Sequence, residues 1–188
     1  MRKPQNLVFS LGLPVFLLTL LAANASAQLA GNAFFGYSYD NTAISQGDGG
    51  SLNGWDASLE GKFAPWIGLV LDIDGHYGSR GYTGLCGGIP CFVGANVAEH
   101  TFLFGPRVSV TVSRFRPFGE FLIGGSHVSR SNGISDSNTS FANVVGGGLD
   151  YKVFGPLWFR GQLDWVETRF YGSTQNGVRF STGVSVHF

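Results

Sequence analysis

Hydrophobic and polar residues alternate with period two over the last stretch of the chain, Gly177 to Phe188. Val178, Phe180, Thr182, Val184, Val186 and Phe188 fall on one face. Arg179, Ser181, Gly183, Ser185 and His187 fall on the other. Alternation of this length predicts a strand with one apolar and one polar side. Seven further stretches repeat it. Ala33–Tyr39 carries Phe35, Tyr37 and Tyr39 on one face. Trp55–Phe63 sets Trp55, Ala57, Leu59 and Phe63 against Asp56, Ser58, Glu60 and Lys62. Ile67–Tyr77 sets Leu69, Leu71 and Ile73 against Asp72, Asp74 and His76. Val97–Val110 sets His100, Phe102, Phe104, Pro106 and Val108 against Glu99, Thr101 and Arg107. Phe121 and Ile123 oppose Glu120 and Ser126. Phe141, Val145, Leu149, Tyr151 and Val153 oppose Asp150 and Lys152. Phe159, Leu163 and Trp165 oppose Arg160, Gln162 and Asp164. Eight strands follow, and no stretch of comparable length has helical periodicity.

The connections alternate strictly between short and long. Ala64-Pro65, Thr111–Arg116 and Phe154-Gly155-Pro156 are short. Asn41–Asn53, Gly78–Asn96, Ser129–Ser140 and Arg169–Asn176 are longer and rich in Gly, Ser and Asn. In an up-and-down sheet, odd and even connections lie at opposite ends, so all long ones share one end. A terminal strand with a free apolar edge invites aggregation unless another strand pairs with it. Closure of the last strand onto the first removes that edge. The prediction is an all-β, eight-stranded, antiparallel up-and-down barrel with both termini at the short-turn end.

Composition decides which face points outward. Gly (29 residues) and Phe (17) are abundant and only 13% of residues are charged, where a soluble domain carries about a quarter. Aromatics gather at the strand ends. Phe63, Trp66, Phe115, Phe118, Phe154, Trp158 and Phe188 sit towards the short turns, and Tyr37, Tyr39, Trp55, Tyr77, Trp165, Phe170 and Tyr171 towards the long connections. Two such groups form the interfacial girdles of a transmembrane β-barrel, whose strands of about ten residues span on the order of 25 Å. A soluble barrel of the lipocalin type would turn the apolar face inward. It is disfavoured by the girdles and by the mixture of acids and bases on the polar face.

The first residues carry an export signal. Met1-Arg2-Lys3 is a basic head, Leu7–Ala23 an apolar core broken by Pro14, and Ala25-Ser26-Ala27 a small-x-small cleavage pattern. Residues 1–27 are expected to be removed, leaving 28–188 as one barrel domain. Of twelve basic residues, Arg2 and Lys3 lie in the leader, leaving ten against twelve acidic. No basic patch is present, so nucleic acid is excluded as a partner.

Eight strands, the asymmetric connections and the closing Gly-Val-Ser-Val-His-Phe resemble the small outer-membrane barrels of the OmpA transmembrane-domain and OmpX class, over all of residues 28–188. The resemblance implies residence in the bacterial outer membrane and contact with its lipid and lipopolysaccharide. It also implies a monomeric state and a terminal Phe188 read as an assembly signal by the outer-membrane insertion machinery. No peptidoglycan-binding domain is expected to follow Phe188.

Four features offer chemistry. Cys86 and Cys91, the only cysteines, share a long outer connection in an oxidising compartment, which favours a disulfide over a metal pair. On the inner face Asp72, Arg107, Glu120, Asp150, Lys152, Arg160, Asp164 and Arg179 are expected to pair as a lumen charge network. An eight-stranded barrel is just wide enough for side chains to fill it, so a plugged core is favoured over a narrow ion or small-solute pore. Ser126-His127-Val128-Ser129 places a His and a Ser on one strand face. It resembles the site of the lipid A deacylase barrels, but lacks the Asn that follows the Ser in that motif. The outer connections could present an adhesive surface. The reading is a non-enzymatic barrel that supports envelope integrity and presents surface loops, with no cofactor and no metal.

Overall fold

In the computed structural model the described residues are 30–41, 51–131, 135–172 and 174–188. The expected leader, residues 1–27, and most of the first outer connection lie outside them. The eight strands are β1 Gly31–Asp40, β2 Leu52–Ala64, β3 Ile67–Cys86, β4 Ile89–Ser109, β5 Phe115–Ser131, β6 Ser135–Phe154, β7 Leu157–Thr168 and β8 Gln175–His187. Each pairs antiparallel with the next, and β8 closes on β1, giving a closed eight-stranded barrel. At the seam Gly31 and Phe188 exchange backbone hydrogen bonds of 2.8 and 3.1 Å. The all-β, up-and-down architecture expected from alternation is the one formed.

The three short connections stand at one end with both chain ends, as expected. Two of them are preceded by a register shift, at Lys62/Ala64 and at Lys152/Phe154. Such bulges bend a strand at a barrel rim and leave Phe63 and Phe154 projecting outward. The long-connection end differs from expectation. Gly78–Asn96 is not a loop: β3 and β4 pair all the way to Cys86 and Ile89, leaving only Gly87-Gly88 as the turn. Both glycines have positive φ (63° and 88°), as a two-residue primed hairpin turn requires. Their Gly-Gly signature merges, in sequence, into a Gly-rich run. β5 and β6 likewise pair up to Ser131 and Ser135, because Ser, Thr and Asn side chains are compatible with a solvated ladder. The asymmetry between the two ends therefore rests on strand overhang as well as on loops.

Alternation sorts the side chains cleanly. Phe35, Leu59, Leu71, Phe104, Phe121, Val145, Leu163 and Val184 are exposed on the outer wall, while the charged residues between them are buried inside. The outer girdle contains Tyr37, Tyr39, Tyr77 and Trp165, and the inner-end girdle Phe63, Trp66, Phe115, Phe154 and Phe188. Three aromatics expected in the girdles are interior instead. Trp158 and Phe118 share strand parity with Arg160 and Glu120 and are buried with them. Phe170 lies in a 3-10 turn, Phe170–Gly172, and caps the barrel against Leu52, Val97 and Val128. Gln175 holds that turn through hydrogen bonds to the Phe170 backbone N and O of 2.9 and 3.0 Å. A second apolar cluster (Val70, Leu103, Leu122, Ala142, Val144 and Val166) fills one side of the lumen.

Candidate functional site: a filled, charged lumen

The inward positions of β4, β5, β7 and β8 bring four guanidinium groups into the barrel, all within 2% of full burial. A buried charge requires a partner and satisfied hydrogen bonds, and the register supplies them. Arg107 and Glu120 face each other across β4–β5, with Arg107 Nε donating to Glu120 Oε2 at 2.6 Å. Arg160 and Asp150 face each other across β6–β7 and form a bidentate pair, Nε to Oδ1 at 2.6 Å and Nη2 to Oδ2 at 3.0 Å. Planar forks of this kind are the stronger class of charged hydrogen bond. Arg179 reaches across the lumen from β8. It donates to Asp164 (2.9 Å from Nη2), to Asp72 (3.1 Å from Nη1) and to Asp74.

Seven of the eight expected network residues, all but Lys152, are thus assembled inside. Lys152 is a correction. It sits at the lower mouth opposite Trp158, where that indole occupies the lumen and stacks on His187 with ring centroids 4.5 Å apart. The Lys152 stem leaves the ammonium exposed, 5.7 Å from the Trp158 ring, as long cationic side chains do at a wet rim.

The network also contains members that the sequence reading did not include. Arg116 fell inside the expected short turn Thr111–Arg116. It is instead the second residue of β5, donating to both Glu60 carboxylate oxygens (2.8 and 2.9 Å) and to Ser109. Its alternation with Phe118 and Glu120 was the available signal, masked by Pro117 between them. Asn32 bridges the seam, donating to Glu60 at 2.6 Å and accepting from Arg160 at 2.9 Å. Gln162 donates to both Glu120 and Asp164 at 2.8 Å and joins the lower network to the upper. Two guanidinium groups lie over the Phe118 ring, Arg107 at 4.4 Å and Arg160 at 4.8 Å from its centroid, a cation–π arrangement.

The charges are unevenly distributed along the axis. Near the short turns, Arg107, Arg116 and Arg160 balance Glu60, Glu120 and Asp150. Towards the outer end Arg179 serves Asp72, Asp74 and Asp164. There Asp56 is fully buried with no hydrogen-bond partner on either carboxylate oxygen. Above them His76 links Asp74 (3.1 Å) to Ser38 (2.9 Å), and Ser38 meets Ser181 at 3.0 Å. Hydrogen bonds thus cross-link the lumen from Glu60 near the short turns to Ser38 and Ser181 towards the outer end.

The other candidates lie elsewhere. His127 and Ser129 are on the outer wall, not in the lumen. The His127 ring pairs with the Thr139 hydroxyl at 2.7 Å, so the position a triad would give to an acid holds a hydroxyl. Cys86 stands across from Ile89 and Cys91 across from Gly84 in the backbone register; their side chains lie outside the described residues. Phe188 is 60% exposed at the lower rim.

No family model and no curated protein matches the sequence. Solved structures do resemble the fold. Neisserial surface protein A superposes with a TM-score of 0.61 at 12% identity, over 85% of this chain and 97% of that one. The attachment invasion locus protein Ail of Yersinia pestis, in complex with the heparin analogue sucrose octasulfate, gives 0.55 at 14%, with 85% and 97% covered. The outer membrane protein OprG of Pseudomonas aeruginosa gives 0.55 at 12%, over 85% and 96%. The fold is that of the small eight-stranded outer-membrane β-barrels of the OmpA/OmpX type.

Proposed function

We propose that the protein resides in the bacterial outer membrane as a monomeric, non-enzymatic barrel that supports the envelope and presents its outer hairpins. The observation that carries this reading is the inversion of polarity: a continuous apolar wall outside and a cross-linked ionic core inside. Such a wall is stable only in lipid. A core closed by Arg107–Glu120, Arg160–Asp150 and Arg179–Asp164 is a strut, which argues against a standing pore. The paired overhang of β3–β4 beyond the girdle is suited to contact with another surface, and Ail, an attachment protein by name, has this fold. Adhesion through that hairpin is therefore the second reading.

Membrane fractionation tests the proposal, with heated and unheated samples run side by side on a detergent gel. An outer-membrane band whose mobility changes on heating is expected. A soluble periplasmic protein without the shift would refute it. In planar bilayers the folded protein is expected to show no steady conductance; a sustained unitary current would replace the strut with a pore. Removal of residues 79–96 should abolish any binding to cells if adhesion is the role.

A further inference from the structure

The outer aromatic girdle is interrupted on β4–β5. At the level where other strands carry Tyr37, Trp55, Tyr77 and Trp165, these two carry His100 and His127, directly opposite one another. Just below, the outward row reads Ile73, Phe102, Gly125 and Phe141 on four successive strands. Gly125 leaves a gap beside the exposed Phe102 ring. The gap is a groove of about 460 Å³ whose walls are Ile73, Phe102 and Phe104, and whose upper rim is His100, His127 and Thr139. Its lining contains no carboxylate. The rim therefore offers imidazole and hydroxyl groups able to donate hydrogen bonds, above an apolar slot that is continuous with the wall.

We propose that this groove is a specific site for one lipid of the outer leaflet, with an acyl chain in the slot beside Gly125 and a phosphate-bearing headgroup at His100, His127 and Thr139. The proposal rests on the membrane reading above and names a site within it. The slot supplies apolar contact at the depth of acyl chains. An anionic oxygen acceptor is the headgroup chemistry that answers two imidazoles with no neighbouring acid in the groove. The Thr139 hydroxyl, 2.7 Å from His127 Nδ1, restrains that ring at the rim. Tyr77 restrains His100 by an edge-to-face contact with centroids 5.5 Å apart.

The test uses native mass spectrometry of the full-length protein purified from expressing cells in non-ionic detergent, titrated with phosphatidic acid or with the matching diacylglycerol. Gly125→Leu fills the slot without disturbing the backbone, because a Cβ there meets only the Ser140 carbonyl oxygen, at 3.6 Å. Wild type is expected to retain one phosphatidic acid about tenfold better than diacylglycerol, with no displacement by inorganic phosphate. Gly125→Leu should lower retention of both lipids by about tenfold. His100→Ala with His127→Ala should remove the preference for phosphatidic acid and spare diacylglycerol; tenfold corresponds to one strong charged contact. Equal retention by Gly125→Leu and wild type would overturn the site, as would displacement by inorganic phosphate or no preference in wild type. Each variant is checked for heat-modifiable mobility, so a failed fold is distinguished from a lost site. If wild type itself shows no such mobility, the membrane reading falls and this inference with it.

Discussion

Arg179 is the member of the lumen network whose loss should be most damaging. Its guanidinium makes four hydrogen bonds to Asp72, Asp74 and Asp164. Charged hydrogen bonds contribute roughly 1.5–3 kcal/mol each, so the gross interaction is about 6–12 kcal/mol. Much of that is offset by the desolvation of the groups involved. Removing one partner of a buried pair costs about 3–5 kcal/mol, because it strands the other charge. Arg179→Met retains the stem volume and strands three carboxylates, so the upper part of that range applies. With an m-value of about 2 kcal/mol/M, the urea midpoint should fall by about 2 M. The assay is urea titration of the barrel in lipid vesicles, read as the fraction of heat-modifiable band. Arg169→Ala is the control: Arg169 is 64% exposed with Glu167 at 3.7 Å, and such a surface pair contributes at most about 1 kcal/mol. Asp56→Asn supplies the opposite sign. Its buried carboxylate has no hydrogen-bond partner, so neutralising it should raise the midpoint. If Arg179→Met and Arg169→Ala behaved alike, the lumen network would not hold the barrel together.

Three further outcomes are expected. Gly54→Ala should prevent folding, since a Cβ there would lie 1.8 Å from the Gly75 backbone oxygen, whereas Gly61→Ala meets nothing within 4 Å and should leave the urea midpoint unchanged to within about 0.5 kcal/mol. Deletion of Phe188 removes the seam hydrogen bonds to Gly31 and, on the family resemblance, the assembly signal; the heat-modifiable band in cells should drop several-fold, while refolding of the purified chain into detergent should change little. Cys86 and Cys91 should be oxidised to each other in the exported protein, seen as a mass about 2 Da lower than after reduction and as no reaction with a thiol reagent; two free thiols would exclude the bridge.

The barrel was legible in the sequence because its two solvents are so different. Period-two alternation in lipid admits no error on either face, so Trp55–Phe63 and Gly177–Phe188 state both their strand character and their orientation. Where that pressure lapses, the reading lapsed too. Gly78–Asn96 and Ser129–Ser140 carry no alternation and read as loops, yet they pair. At the lower rim, aromatic residues serve either as girdle or as plug. Composition does not tell Phe118 and Trp158 from Phe115 and Phe154; strand parity with Arg116 and Arg160 places the first two and Phe115, and only the bulge at Lys152/Phe154 turns Phe154 outward. The network was visible as a set of inward charges, and its pairs could be assigned only once the register set Arg107 against Glu120. The reach of Arg179 to Asp72 spans strands that are not neighbours, and no spacing along the chain encodes that distance.

Closure is where the interior charges carry most information. Seven of the eight pairings join consecutive strands, whose register is constrained by the connection between them. The β8–β1 pairing has no turn to fix it, so side chains must. Gly36 and Gly183 face each other at the seam, and a Cβ added at Gly183 would lie 2.4 Å from the Gly36 Cα, so this register requires glycine at position 183. Ser38 meets Ser181 at 3.0 Å, and Ser185 meets Asn32 at 3.4 Å. Asp40 stands opposite Arg179. A slip of one residue would turn Arg179 towards lipid and Phe180 into the lumen. Arg179 lies at the level of Tyr39 and Trp165 in the outer girdle, where a lipid-facing arginine costs at most about 1 kcal/mol, so the loss of its three carboxylate partners would carry most of the penalty. The polar lumen thus specifies which closed barrel forms, and its contribution to net stability can be smaller than the sum of its ion pairs without weakening that role.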